Sequence, residues 1–457
     1  MKNRKLPPRK RRAKDSKKSE LLFAVVANEK GEIFDLEGFA AVGADGKLLS
    51  PITTGDTIEL PHGSELMFLP DRMPVLMDLE TGQIRPVDRN PYSPGERIFP
   101  VAAFNSPGVV LTFSCAYEER PGASILPLFS YGAVGWHGNG FRSAAIVVDT
   151  EPRQDLRLMP REKIVSGVEQ MRMQLPDNRL ARHLERCALT YGCPAGKNFF
   201  LGRYEAPLPT SRACNARCLG CISLQHDAHL TSSQNRIDFT PSAEEIAEVA
   251  LAHIARVKNS VVSFGQGCEG DPLMAARVIG PAIAQIRKKT ANGTINVNTN
   301  ASLPHVLAPL LDAGLDSLRV SMNSVREACY TAYFRPKGYR FSQVVESIDL
   351  AIAKGKHVAI NYLNCPGFTD SPEETAALFV FLEKHPVHLI QWRNLNFDPQ
   401  RYLQAMNSVT PLGPAVGMEP LLQMIRKRFS NLHYGYFNPP KERFQASLDT
   451  MQKKAAP

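Results

Sequence analysis

From residue 203 to about 400 the chain alternates between strand and helix patterns, and this alternation limits the fold more than any other feature. Short apolar runs at 204–208, 260–264, 294–298, 317–322, 357–363 and 387–392 read as six strands. Between and after them, apolar residues recur at helical spacing over 242–257, 273–290, 304–313, 341–354 and 371–384. The first of these helices opens on Thr240-Pro241-Ser242 followed by Glu244 and Glu245, a normal N-terminal signature. Strands joined by crossovers of this length predict an α/β fold, a parallel sheet with its helices outside. An open doubly wound layer and a curved partial barrel both satisfy the pattern.

The flanking segments have a different texture. Residues 20–160 alternate short Val-, Ile-, Phe- and Leu-rich runs with turn signals such as Asp45-Gly46 and Pro70-Asp71, which predicts an N-terminal mainly β domain. Residues 161–202 read as a helical bridge, with Ile164, Val168 and Met171, then Leu180, Leu184 and Leu189, at helical spacing. Residues 401–457 read as a helical extension whose last residues are loosely held. Residues 1–19 carry ten Lys or Arg and one acidic residue, Asp15, leaving 44 basic and 44 acidic side chains over the rest of the chain. All of the net charge of +9 therefore sits in a tail that cannot bury a core and is expected to be disordered. The run Leu21–Ala27 that follows barely reaches the shortest apolar stretch of a secretory signal and leads into Asn28-Glu29-Lys30 instead of a small-residue cleavage site, so it is expected to be a core strand. No apolar run approaches the length of a membrane span. Nine cysteines, an odd number and several of them clustered, point to metal in a reducing compartment, and a cytoplasmic protein is expected.

Three of those cysteines, Cys214, Cys218 and Cys221, fall within eight residues directly after the first predicted strand of the α/β unit. Thiolates this close favour an iron–sulfur cluster or zinc. Zinc normally closes with a fourth ligand, for which His226 and His229 are nearest, whereas a three-thiolate cluster leaves one iron open. At the end of the next strand comes a Gly-rich turn, Gly265-Gln266-Gly267-Cys268-Glu269-Gly270-Asp271. Strands three to six also end in polar residues, with Asn298 and Asn300, Ser321 and Asn323, Asn361, and Arg393, Asn394 and Asn396. The carboxyl ends of successive strands are where a barrel of this kind keeps its active site.

The C-x3-C-x2-C loop after the first strand of a six-fold β/α unit resembles the radical S-adenosylmethionine (radical SAM) superfamily, the resemblance covering residues 203 to about 400. It implies a partial TIM-type (β/α)6 barrel in which Cys214, Cys218 and Cys221 bind three irons of a [4Fe-4S] cluster. The amino and carboxylate groups of S-adenosylmethionine would chelate the fourth iron. One electron, from a donor such as flavodoxin or ferredoxin, then breaks the sulfonium–C5′ bond and yields a 5′-deoxyadenosyl radical. The Gly-rich turn is similar to the family's methionine-binding segment, with Gly265 and Gly267 in the turn and Glu269 or Asp271 as acceptor for the ammonium. Asn298, Asn300, Ser321, Asn323 and Asn361 are then expected to reach the cofactor. Cys268 is a candidate hydrogen-atom donor. Family members usually carry an aromatic residue before the third cysteine, where this chain has Gly220.

With the cofactor filling strands one to five, Arg393, Asn394 and Asn396 are the expected substrate contacts, or else Arg393 pairs with Asp398 to hold the chain as it leaves the barrel. The leading expectation is a radical SAM enzyme modifying a macromolecule, RNA or protein. A small-molecule substrate is the alternative within the same chemistry, and a non-catalytic iron–sulfur or zinc module with a nucleic-acid-binding tail is the alternative outside it. Cys187 and Cys193, six apart before the barrel, read as buried free thiols or as part of an auxiliary cluster.

Overall fold

The computed structural model describes residues 20–444, so the basic tail predicted at 1–19 and the final residues of the C-terminal extension lie outside it. Residues 20–147 are almost entirely β, dominated by a ten-stranded sheet with antiparallel pairing. Phe23–Ala27 sits inside that sheet, paired with Ile33–Ala40, Phe99–Phe104 and Val134–His137. Ala24 and Val26 pack into one apolar cluster while Val25 and Ala27 pack into another. A strand covered on both faces reads as an unbroken apolar run, which accounts for its likeness to a signal segment. Three helices follow, α1 (Arg161–Gln174), α2 (Arg179–Leu189) and α3 (Pro194–Phe200).

The second half is a curled half-barrel of seven strands, all parallel and in chain order. Its strands are Glu205–Pro207, Val261–Phe264, Thr294–Thr299, Ser317–Met322, His357–Asn364, Leu389–Asn394 and a short seventh, His433–Gly435. The first six match the sequence reading within two residues at each end, and the curved alternative is the one adopted. Outside them lie α4 (Ala243–Arg256), α5 (Ala276–Lys289), α6 (Pro304–Asp312), α7 (Glu327–Phe334), α8 (Phe341–Ala353), α9 (Pro372–Lys384), α10 (Pro399–Asn407) and α11 (Met418–Arg428). The start of α4 is a capping box: Ser242 Oγ accepts from Glu245 N, and the Glu245 carboxylate accepts from Ser242 N. Among the described residues no helix is long and apolar enough to cross a membrane.

Parallel strands buried on both faces are normally apolar throughout. Here the barrel strands alternate. Val262, Phe264, Ile295, Val297, Leu318, Val320, Ile360, Tyr362, Ile390 and Trp392 join the core shared with the helices. Their neighbours Ser263, Asn296, Asn298, Ser317, Arg319, Ser321, Asn361 and Gln391 therefore face the other way, onto the concave side. This half-barrel has a polar lumen.

Two segments close that lumen. Past the seventh strand the chain runs beneath the amino ends of the others: Asn438 bonds Gln391, Glu205 and Ser263, Lys441 N donates to Thr294 Oγ1, and Phe444 stacks on His357. At the carboxyl ends of strands five and six the N-terminal domain docks. Asn394 Oδ1 accepts from Leu111 N at 2.9 Å, and its amide donates to Val109 O at 3.0 Å. Asn364 donates to Leu111 O, and the wholly buried Asp398 receives Tyr117 Oη, Leu126 N and the Arg72 guanidinium.

Asp45 of the N-terminal domain meets Asp370, which follows strand five, so two buried carboxyls share this interface. Burial, with the charge of the neighbour on Asp45, raises both above the ordinary carboxylate range. A carboxyl raised on folding holds a proton that the unfolded chain gives up, so stability falls as pH rises from about 4 toward neutrality. Asp45→Asn keeps a donor toward Asp370 and removes that titration. The variant should melt like the parent at pH 5 and above it at pH 8; parallel melting curves across this range would show that the pair does not share a proton.

Candidate active site

The three thiols hang on the loop after the first barrel strand, each half-buried. That loop is held from two sides. On one, the carboxyl end of α7 supplies carbonyls: Leu219 N donates to Tyr333 O and Arg217 N to Phe334 O. On the other, Gly270 N donates to Ser211 O and Asp271 N to Ala213 O, laying the Gly-rich turn against the loop backbone. A Cβ at Gly270 would stand 2.0 Å from Ala213 O, so only glycine permits this approach. Gly265 has φ +79°, and a Cβ there would meet Asn298 O at 1.8 Å.

Glu269 ties the two pieces together. Its Oε2 accepts from Thr210 N and Ser211 N at 2.8 Å, and its Oε1 from Gly265 N and Gln266 N at 2.7 Å. Burial pushes this carboxyl up, against the pull of those four N–H donors. Asp271 is equally committed, accepting from Thr299 Oγ1, Asn300 N and Leu273 N. Both carboxylates thus build the turn, and an ammonium group would have to compete with backbone amides for either. Gly267 packs on Gln234 and Ile222.

The other expected cofactor residues divide. Asn298 donates to Gly265 O, and Asn300 to Asn215 Oδ1, so each braces the loop or the turn. Ser321 and Asn361 sit opposite each other in register, half-buried on the concave face. Among the described residues, Asn361 Oδ1 is enclosed without a partner. Asn323 lies elsewhere, fully buried with its amide donating to Cys329 O and Tyr402 Oη beneath α7 and α10. The thiol of Cys268 is placed beside His183 and Cys187 of α2.

At strand six, Asn394 is used by the domain interface, as described above. Arg393 donates to Tyr436 O and stacks over the Tyr436 ring at 3.7 Å. The expected alternative, an Arg393–Asp398 pair, is replaced by a buried Arg72–Asp398 pair at 3.5 Å, because Arg72 reaches down from the N-terminal domain. Asn396 contributes a backbone carbonyl beside the cluster loop. A Cβ at Gly220 would lie 3.0 Å from that carbonyl and 2.9 Å from Tyr333 Oη. The space an aromatic residue would need before the third cysteine is therefore already filled by Tyr333.

The donor set fits a cluster better than a single ion. Among the described residues, the three loop thiols do not form a group whose ligand atoms all lie within 4.8 Å of one another. His226 and His229, the nearest fourth ligands for zinc, are exposed and outside any such group. Thiolates that each hold a different iron stand farther apart than thiolates on one ion. Burial pushes the Cys214 thiol up to about 12, with the Asp271 charge adding to it. Binding a metal must then displace its proton. Arg236 lies 3.8 Å from Cys221 Sγ and offers charge to its thiolate.

The lumen carries a polar network that sequence reasoning did not isolate. Arg319 donates to Gln391 Oε1 at 3.0 Å, and Gln391 donates to Asn438 Oδ1 at 3.0 Å. Asn438 donates in turn to Glu205 Oε1 at 2.8 Å. Burial, with the Arg393 charge beside it, pulls the Arg319 guanidinium down to about 9, which leaves it charged at neutral pH. Among the described residues neither Arg319 nor Arg393 has a carboxylate within ion-pair distance, and the Nε of each is enclosed without a partner.

Molybdenum cofactor biosynthesis protein 1 of Drosophila melanogaster is 27% identical over 207 residues, which are 44% of this chain and 34% of the fly protein. The chain thus spans about a third of that relative's length. Among solved structures, HydG, a maturase of the [FeFe]-hydrogenase, is 17% identical with a TM-score of 0.37, over 61% of this chain and 67% of that one. SuiB of Streptococcus suis bound to S-adenosylmethionine is 15% identical with a TM-score of 0.36, over 68% and 71%. Residues 208–379, from the end of the first barrel strand into α9, match the radical SAM superfamily. That match holds the cysteine loop and strands two to five of the half-barrel, and by it the chain carries a domain of the radical SAM superfamily, whose members use a [4Fe-4S] cluster and S-adenosylmethionine.

Proposed function

We propose that the protein cleaves S-adenosylmethionine reductively and directs the resulting radical at a small acidic molecule held in the barrel lumen. The bound cluster supplies the electron that breaks the sulfonium–C5′ bond. The chain's own residues do the rest. Cys214, Cys218 and Cys221 hold the cluster at the mouth. Glu269 and Asp271 fix the turn against that loop, so that backbone groups of 265–267 face the methionine end. Ser321 and Asn361 offer polar atoms on the concave face. Enclosure by the N-terminal domain above and the 436–444 segment below keeps water from a reactive intermediate.

The observation that carries the choice of substrate is the pair Arg319 and Arg393. Two guanidiniums share one lumen, with a neutral amide and a backbone carbonyl as their partners. Half-buried cations with no carboxylate at ion-pair distance among the described residues attract an anion, and a substrate carboxylate or phosphate would pair with both. A lumen covered at both ends suits a small molecule better than the RNA or protein expected from the sequence.

The test is deoxyadenosine release by the reconstituted enzyme given fractionated cell extract. A small-molecule acidic fraction should stimulate release, and Arg319→Met should weaken that stimulation about 10- to 100-fold, the worth of a charge-assisted hydrogen bond, while substrate-free release persists. Stimulation by the RNA or protein fraction alone would overturn the proposal.

A further inference from the structure

Outside the cluster loop, one group of side chains has the geometry of a metal site. His183 and Cys187 lie four apart on α2, hence on one face of the helix, and Cys268 comes to them from the Gly-rich turn. All three are buried, and their ligand atoms lie within 4.8 Å of one another. His183 Nε2 and Cys187 Sγ are 3.4 Å apart. Bonds of about 2.3 Å to sulfur and about 2.0 Å to nitrogen in a tetrahedral zinc site put neighbouring ligand atoms about 3.5–3.8 Å apart.

We propose that His183, Cys187 and Cys268 form a second, mononuclear metal site that takes zinc, with Cys193, whose sulfur stands outside the 4.8 Å group, turning in as its fourth ligand. Cys193 is half-buried at the start of α3, and its backbone N–H donates to Cys187 O at 2.9 Å. It lies close enough to feel the charge of Cys187 and, from the other side, to be felt by Cys268. One imidazole and three thiolates form a closed structural zinc set. An iron–sulfur cluster fits less well, because each thiolate would need its own iron and the ligand atoms already converge on one point.

The consequence is mechanical. Cys268 directly precedes Glu269, which clamps the cluster loop, while Cys187 belongs to the helical bridge. An ion here staples the bridge to the turn on which the cofactor site is built.

The experiment uses the full chain purified anaerobically, alongside a Cys214→Ala/Cys218→Ala/Cys221→Ala variant that removes the first site. Both should carry one zinc per chain. Zinc-edge X-ray absorption of the wild type should show sulfur and nitrogen neighbours near about 2.3 and about 2.0 Å. His183→Ala and Cys187→Ser proteins should fall below a tenth of a zinc per chain with their iron content unchanged. The inference is overturned if the triple variant neither carries zinc nor takes it up on titration with zinc chloride. It is equally overturned if Cys187 and Cys268 prove to be joined as a disulfide in the anaerobic protein, or if the His183 and Cys187 variants keep their zinc. Because zinc is read without turnover, it can fail while the radical chemistry stands, and the reverse.

Discussion

Glu269→Ala protein should fail to hold the cluster and should melt at least about 10 °C below the parent, if it accumulates at all. The carboxylate accepts four backbone N–H groups from two segments of chain. Its removal leaves four buried donors without partners. A buried donor left unpaired costs about 1–3 kcal/mol, so the total approaches the whole stability of an ordinary domain, about 5–15 kcal/mol. Glu269→Gln should do little better, because its NH2 group would face two N–H donors. The readouts are iron per chain and the thermal midpoint. This outcome differs from that of an ammonium ligand, whose loss would weaken S-adenosylmethionine binding and leave iron and melting unchanged. Wild-type melting and full iron in Glu269→Ala would return Glu269 to that simpler role.

Single Cys→Ala changes at Cys214, Cys218 or Cys221 should each remove the visible chromophore and reduce deoxyadenosine to background. A cluster that leaves one iron open for the cofactor has no spare protein ligand, and His226 and His229 are too exposed to replace one. Cys115→Ala is the matched control. Its thiol is buried in the N-terminal domain, donates to Val101 O, and should be dispensable for iron. Retention of iron and turnover by any of the three loop variants would move the cluster elsewhere.

The barrel was legible because its strands and helices differ in period: Val320 and Ile360 alternate with polar neighbours, whereas Ile279, Ile283 and Ile286 recur along a helical face. The seventh strand was not. His433–Gly435 is three residues long and is a strand only because Leu389–Gln391 pairs with it. The helix Glu327–Phe334 was missed for a related reason, since it is only eight residues long and Glu327 and Thr331 are its only exposed polar side chains. The cysteine loop could be read directly, being eight contiguous residues. The roles around it could not, because Glu269 and Asp271 show carboxylates in the sequence but not the backbone amides that use them. Arg319 and Gln391 looked like ordinary strand residues until curvature brought strands four and six together. The His183–Cys187 spacing was a local signal of a ligand pair, and its third member was hidden by the distance to Cys268 along the chain.

The most direct test is the product of the wild-type protein, reconstituted anaerobically with iron and sulfide and supplied with dithionite and S-adenosylmethionine. The account predicts 5′-deoxyadenosine and methionine in equal amounts, formed only by protein that carries the cluster on Cys214, Cys218 and Cys221. Intact S-adenosylmethionine beside a full, reduced cluster, or zinc at full occupancy on those three cysteines, would contradict it.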